Sequence, residues 1–289
     1  MTEIMTDVEL NRLHCKLLSM SEYFVDFCRE NNLLCYFCGG GCIGAVRHHG
    51  FIPWDDDLDF FMPRNDYEQL KKVWEDKGMD GRYILLYPSL ECHDGNCFMT
   101  LRDSQTTQIK PYQQDMDIVH GVAIDIFPLD GCPSGRIARK MQYLYAMIYS
   151  LFSTEIIPSK HGRLVSIGCK ILLKCVNNKK KRYKVWCFAE KKMSQYPISE
   201  CKKITELCAG PGYMKNEYPK EFFSSAKYMS FEDKQMPVPI GYDGYLRIAF
   251  GDYMQLPPVK DRVCHHDFVF MDLENSYKIY EGIWYRLKK

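Results

Sequence analysis

Residues 50–62 read GFIPWDDDLDFFM. Four carboxylates, Asp55, Asp56, Asp57 and Asp59, fall within five residues and have bulky apolar neighbours on both sides. Crowded carboxylates repel, and a buried unpaired carboxylate is costly, so something positive is expected beside them. A strand over 57–62 sorts the stretch. Alternation puts Asp57 and Asp59 on one face and Leu58 and Phe60 on the other. Two carboxylates at i and i+2 on one face suit Mg²⁺ or Mn²⁺, which takes oxygen ligands and keeps positions for water and phosphate. Asp55 and Asp56 are read as lying on the turn that leads in.

The segment just upstream reads CGGGCIGAVRHHG (38–50) after an apolar run, LLCYF (33–37). Read as buried strand, glycine turn and short helix, it would bring backbone N–H groups at Gly40 and Gly41 close to a phosphate. Arg47 and His48 would meet the phosphate charge from the helix. A glycine turn alone is weak evidence; its value lies in standing one element before the D-x-D pair. A third carboxylate comes from HGVAIDIFPLDG (120–131), read as a buried strand ended by Pro128. Asp125 is a single acid between Ile124 and Ile126. It is either a hydrogen-bonded core acid or a third metal ligand, and the neighbouring carboxylates favour the ligand.

Outward from these strands, Thr6-Asp7-Val8-Glu9 reads as a capping box. It opens a helix to about Asn31, with Val8, Leu13, Leu17, Met20, Phe24 and Phe27 at helical spacing. A further helix is expected from Pro63 to Gly78, with strands at 82–87 and 97–103. Residues 136 to about 175 turn helical and apolar, until NNKKKRYK (177–184) breaks them. That basic run reads as a solvated loop or face, or, beside two apolar helices, as a patch for anionic headgroups. The last third mixes turns and short elements. This gives three regions: a catalytic core over 1–135, an apolar and basic helical insertion over 136–200, and a part completing the catalytic domain and acceptor site over 201–289.

Composition bounds the class. The 289 residues are 46% hydrophobic and 26% charged with a net charge of +1, which fits a packed globular protein and gives no global field for nucleic acid. The start lacks an apolar leader and no run of about 20 apolar residues occurs, so neither a secretory signal nor a membrane span is expected. Fourteen scattered cysteines read as reduced and cytosolic. Cys35 and Cys38 lack a second ligand pair for zinc. Cys92-His93 and Cys264-His265-His266 read as ordinary residues.

The stretch GGGCIGAVRHHGFIPWDDDLDFFMPRNDYEQL (39–70) resembles the signature of the LicD family of phosphocholine transferases, related to fukutin and the fukutin-related protein. FMTLRDSQTT (98–107), HGVAIDIFPLDG (120–131) and FEDKQMPVPIGYDGYLRIAFGDYMQLPP (231–258) resemble its later blocks in order. The resemblance spans roughly residues 10–266 and is weakest over 136–200. It implies an α+β, nucleotidyltransferase-like fold of the DNA polymerase β superfamily: a mixed sheet flanked by helices, with a helical insertion. The family's glycine turn maps onto Gly40-Gly41, its D-x-D pair onto Asp57 and Asp59, and its third carboxylate onto Asp125. Two departures stand out. Gly41 replaces a usual Thr or Ser, and a Lys usual near Thr100 is missing, leaving Arg102 to stand in.

The implied activity is Mg²⁺-dependent (or Mn²⁺-dependent) transfer of a phospho-alcohol, most often phosphocholine, from a CDP-alcohol such as CDP-choline, with release of CMP. The acceptor would be a hydroxyl of a cell-surface glycan or its lipid-linked precursor, in lipopolysaccharide, capsule or teichoic acid. Asp57, Asp59 and Asp125 would hold metal and perform catalysis. Gly40, Gly41, Arg47, His48 and Arg102 would bind the donor. A cytoplasmic protein is implied, with peripheral contact at the inner face of the cell membrane and no nucleic-acid partner. Two other readings stay open: a nucleotidyltransferase moving NMP from an NTP onto a small molecule, and an inactive binding protein on the same fold. Tyr242, Asp243 and Tyr245 are candidates for the acceptor or choline side.

Overall fold

The computed structural model describes residues 5–78, 81–155, 163–264 and 268–287. His265 and His266 lie outside the described residues. Helix α1 (Asp7–Glu30) starts on the expected capping box, with Thr6 and Glu9 bonding each other's backbone. Leu13, Leu17, Met20 and Phe24 form its buried stripe, whereas Val8 is 69% exposed. The chain continues through β1 (Tyr36–Phe37), α2 (Gly39–Arg47), β2 (Asp59–Pro63), α3 (Arg64–Lys77), β3 (Tyr83–Leu86), β4 (Met99–Asp103), β5 (Thr107–Ile109) and β6 (Ala123–Cys132). Three helices follow, α4 (Arg136–Thr154), α5 (Arg163–Cys175) and α6 (Lys179–Met193). The last third holds β7 (Lys203–Glu206), β8 (Tyr218–Pro219), the hairpin β9 (Ala226–Phe231) and β10 (Lys234–Pro239), α7 (Tyr242–Phe250) and β11 (Phe270–Asp272).

The result is an α+β protein built on a mixed seven-stranded sheet, ordered β1-β2-β6-β4-β3, with β7 on β6 and β8 on β7. Only β2 and β6 run parallel among these pairs. Their register sets Asp59 opposite Asp125, and β4 sets Thr100 opposite the same Asp125. Residues directly opposite share a sheet face, so the register brings the acids together.

Four expectations need correcting. Pro128 does not end β6. Residues 123–126 pair with β4 and 129–132 with β7 along one edge, so Pro128 falls in the gap where no antiparallel partner needs its missing N–H. The glycines do not form a turn ahead of a helix; Gly39, Gly40 and Gly41 are the first turn of α2 itself. The strand expected over 33–37 is confined to Tyr36–Phe37. The basic run at 179–182 is helical: Asn178 caps α6 by accepting from the Lys181 N–H.

Two cores hold the chain together. The larger packs α1, α2 and the hairpin against the sheet through Phe24, Phe37, Phe60, Phe231 and Tyr245. The second joins Tyr149 and Phe152 of α4, Leu173 of α5 and Trp186 and Met193 of α6 to Leu207 and Met214 beyond β7. Between them, Arg64 at the start of α3 forms a bidentate pair with Asp130 of β6, at 2.8 and 2.7 Å, and reaches Glu190 of α6 at 3.4 Å.

Candidate active site

Asp59 begins β2 at the mouth of the sheet, and its neighbours decide its charge. Burial raises its pKa well above the carboxylate range, and Asp57, Asp125 and Asp55 push the same way. Asp125 carries a buried Oδ1 that accepts no hydrogen bond from the described residues. An orphaned carboxylate oxygen next to a second carboxyl that resists ionising is the electrostatic signature of a place for a cation. Asp55, Asp56 and Asp57 add to the crowd, with oxygens within 4.8 Å of one another. The donor set is all oxygen, which suits Mg²⁺ or Mn²⁺.

The start of α2 faces these acids. Gly39 has a φ of +50°, which favours glycine, and a Cβ there would stand 3.8 Å from Asp59 Oδ2. A Cβ on Gly40 would land 1.9 Å from Asp55 Oδ2. The Gly39 N–H donates to the buried Tyr245 hydroxyl at 3.0 Å. The amides of Gly40 and Gly41 have no intrahelical acceptor, so positive backbone charge and carboxylates meet across one small space. Gly41 points the other way: its Cβ would press on Leu58 and Phe37 at 3.2 Å. Its side contributes packing, and only its amide is available to an anion.

The cation is not where the sequence pointed. Arg102 is 1% exposed and fully engaged, with Asp94 at 3.1 Å, Thr100 at 3.1 Å and the Val119 carbonyl at 3.0 Å. Arg47 sits at the other end of α2, about 12 Å along its axis from Gly39. It donates to the Tyr253 and Gln255 carbonyls and to His48 Nδ1. Burial and the Arg262 charge lower the pKa of Arg47, and burial and Arg47 lower that of His48. Arg47 therefore anchors the 253–255 loop, and His48 accepts from the Arg47 Nε. The charge facing Asp125 is Lys110, just past β5. Burial, the largest effect, opposes its protonation, but Asp125, Tyr112 and Asp57 together outweigh it and raise its pKa.

Residues 32–129 match the family model described as LicD/FKTN/FKRP, nucleotidyltransferase domain. That stretch, about a third of the chain, is similar to the family's domain. The lipopolysaccharide cholinephosphotransferase LicD of Haemophilus influenzae is 29% identical over 262 residues, covering 86% of this chain and 92% of that protein.

The matched region contains the metal and donor-side residues the sequence pointed to, Gly40, Gly41, Arg47, His48, Asp57, Asp59, Arg102 and Asp125, but not the acceptor-side candidates Tyr242, Asp243 and Tyr245. The structure groups Gly40, Asp57, Asp59 and Asp125 and separates off Arg47, His48 and Arg102. Lys110 was missed because a lone lysine after a three-residue strand has no motif around it. Glu206 was missed too and lies beyond the region. It ends β7, opposite Leu129, and accepts from Tyr218 Oη and from Asn216 Nδ2. Burial pushes its pKa up to about 7. Burial raises the pKa of Tyr213, and the charges of Glu206 and Asp59 push the same way. Of the acceptor-side candidates, Tyr245 is a buried strut and Asp243 is tied to Arg247 and Tyr253.

Proposed function

We propose that this protein is a metal-dependent transferase that moves phosphocholine from CDP-choline onto a hydroxyl of a cell-surface glycan or its lipid-linked precursor. The observation that carries this is the register of β2 on β6. It sets Asp59 against Asp125, whose Oδ1 has no donor among the described residues, in front of the glycine start of α2. The LicD-family match and the cholinephosphotransferase relative supply the chemistry.

Asp57, Asp59 and Asp125 would hold one or two Mg²⁺ ions, which supply charge neutralisation on the diphosphate when bound. The amides of Gly40 and Gly41 hold the diphosphate by the helix end. Lys110 steadies the negative charge that builds on the leaving CMP oxygen. The acceptor oxygen attacks the choline-bearing phosphorus, the bridging P–O bond to CMP breaks, and the hydroxyl proton passes to the free Asp125 oxygen.

The test is to incubate the protein with CDP-choline or with CTP, acceptor glycan and Mg²⁺, and to separate the nucleotides. CMP from CDP-choline, abolished by chelator, is the expected result. Pyrophosphate from CTP with no CMP from CDP-choline would instead make the protein a nucleotidyltransferase.

A further inference from the structure

The chain is electrically almost neutral, but its charge is not evenly spread. Residues 136–193, which make α4, α5 and α6, hold fourteen Lys or Arg and two Glu, a formal +12 in a chain whose total is +1. The remaining residues therefore carry −11. Both glutamates are already spent on arginines, Glu155 on Arg182 and Glu190 on Arg64. A separation of this size gives the helical lobe a positive field that favours an anionic partner.

Helix α5 says what that is. Among its described side chains only Leu173 is buried, while Ile167, Ile171 and Leu172 are 48%, 55% and 49% exposed. Ile167 and Ile171 stand one turn apart, and Lys170 and Lys174, both exposed, stand one turn apart beside them. On α4, Ile137, Met141 and Leu144 repeat the pattern, exposed at i, i+4 and i+7 around Lys140. Between α5 and α6 a cleft of about 450 Å³ is lined by Lys170, Leu173, Lys174, Asn177 and Arg182. Exposed aliphatic side chains interleaved with lysines suit the interface of a bilayer. A nucleic-acid surface would set polar side chains in those places. No helix among the described residues is long and apolar enough to cross a membrane, so contact is from the side.

We propose that the α4–α6 lobe docks on an anionic lipid bilayer, with Ile167, Ile171 and Leu172 entering the interface and Lys170, Lys174 and Lys179–Lys181 meeting lipid phosphates. This stands on charge and exposure alone and holds whether or not the transfer chemistry does. Flotation of the full chain with phosphatidylcholine vesicles, with and without phosphatidylglycerol, tests it. Binding is expected only to the anionic vesicles, and to weaken as salt is raised. Lys170→Glu with Lys174→Glu should cut binding on the order of 10-fold or more. Ile167→Ser with Ile171→Ser should weaken it with the salt dependence retained. Melting curves check that each variant is folded; the milder Lys170→Gln with Lys174→Gln replaces any that is not. The proposal fails if anionic vesicles leave the protein unbound, if neutral vesicles bind it equally, if the folded variants float like the parent, or if short duplex DNA displaces it from vesicles.

Discussion

Asp59 is held where folding would rather not have a charge. Burial and three neighbouring acids raise its pKa, so keeping it ionised costs the native state a desolvation and repulsion that the unfolded chain lacks. Asp59→Asn removes that repulsion and a proposed metal ligand together. The expected outcome is a transfer rate down at least ~100-fold. In chelator the melting temperature should rise by roughly 2–4 °C per kcal/mol recovered. Arg102 and Lys110 separate in the same way. Arg102→Met leaves Asp94 buried without its cation and should lower the melting temperature by roughly 10 °C. Lys110→Met should keep the fold and lower kcat by about 100-fold. Steady-state rates and melting curves on both variants decide it. Glu206 provides a pH signature. Its pKa is raised to about 7, so the folded protein holds a proton that the unfolded chain has released. Its contribution is therefore complete below about 4.5, the ordinary glutamate value, and lost as pH rises through about 7. Glu206→Gln keeps an acceptor for Tyr218 and Asn216 and should flatten the stability loss across that window in a series of melts.

Among the elements, those with a local cause were legible in the sequence. The capping box at Thr6 and Glu9 and the Gly78 stop of α3 appear as expected. The alternation of Asp57 to Phe60 matches the partly exposed acids and the buried Leu58 and Phe60. What escaped depended on partners distant in sequence. Pro128 continues β6 only because β4 and β7 divide its edge. Lys110 follows a short strand, β5, that is held by β11 from near the end of the chain, and it feels Asp125 from β6. Arg102 and Arg47 looked like donor-binding cations because sequence shows a charge but not whether Asp94 or the Tyr253 carbonyl already holds it. The start of α2 gives a prediction at this scale. Gly40→Ala puts a methyl group where Asp55 Oδ2 now lies. The carboxylate can swing aside, so stability should change by less than about 1 kcal/mol, as alanine also favours the helix. The rate should still fall roughly 10-fold, because Asp55 leaves the helix end and the site loses its shape.

At the scale of the molecule, the site belongs to no single unit of the chain. Asp59 starts β2 with Asp57 on the segment leading into it, Asp125 comes from β6 and the glycine amides from α2, which Tyr245 of α7 braces through Gly39. Lys110 directly follows β5, itself paired to β11 near the end of the chain. Anything bound there joins elements from both ends of the sequence and should stabilise the whole cooperative fold rather than one loop. By linkage, a ligand at about 100 times its Kd adds roughly 2.7 kcal/mol. For a chain of this size that raises the melting temperature by roughly 5–10 °C. Mg²⁺ with CDP should produce such a shift, and either alone a smaller one, because the acids repel a nucleotide that brings no metal. Asp125→Asn should abolish the combined shift, while Lys179→Gln on the distant basic lobe should leave it intact. A full shift in the Asp125→Asn variant would mean that CDP binds elsewhere, and would remove Asp125 from the proposed metal site.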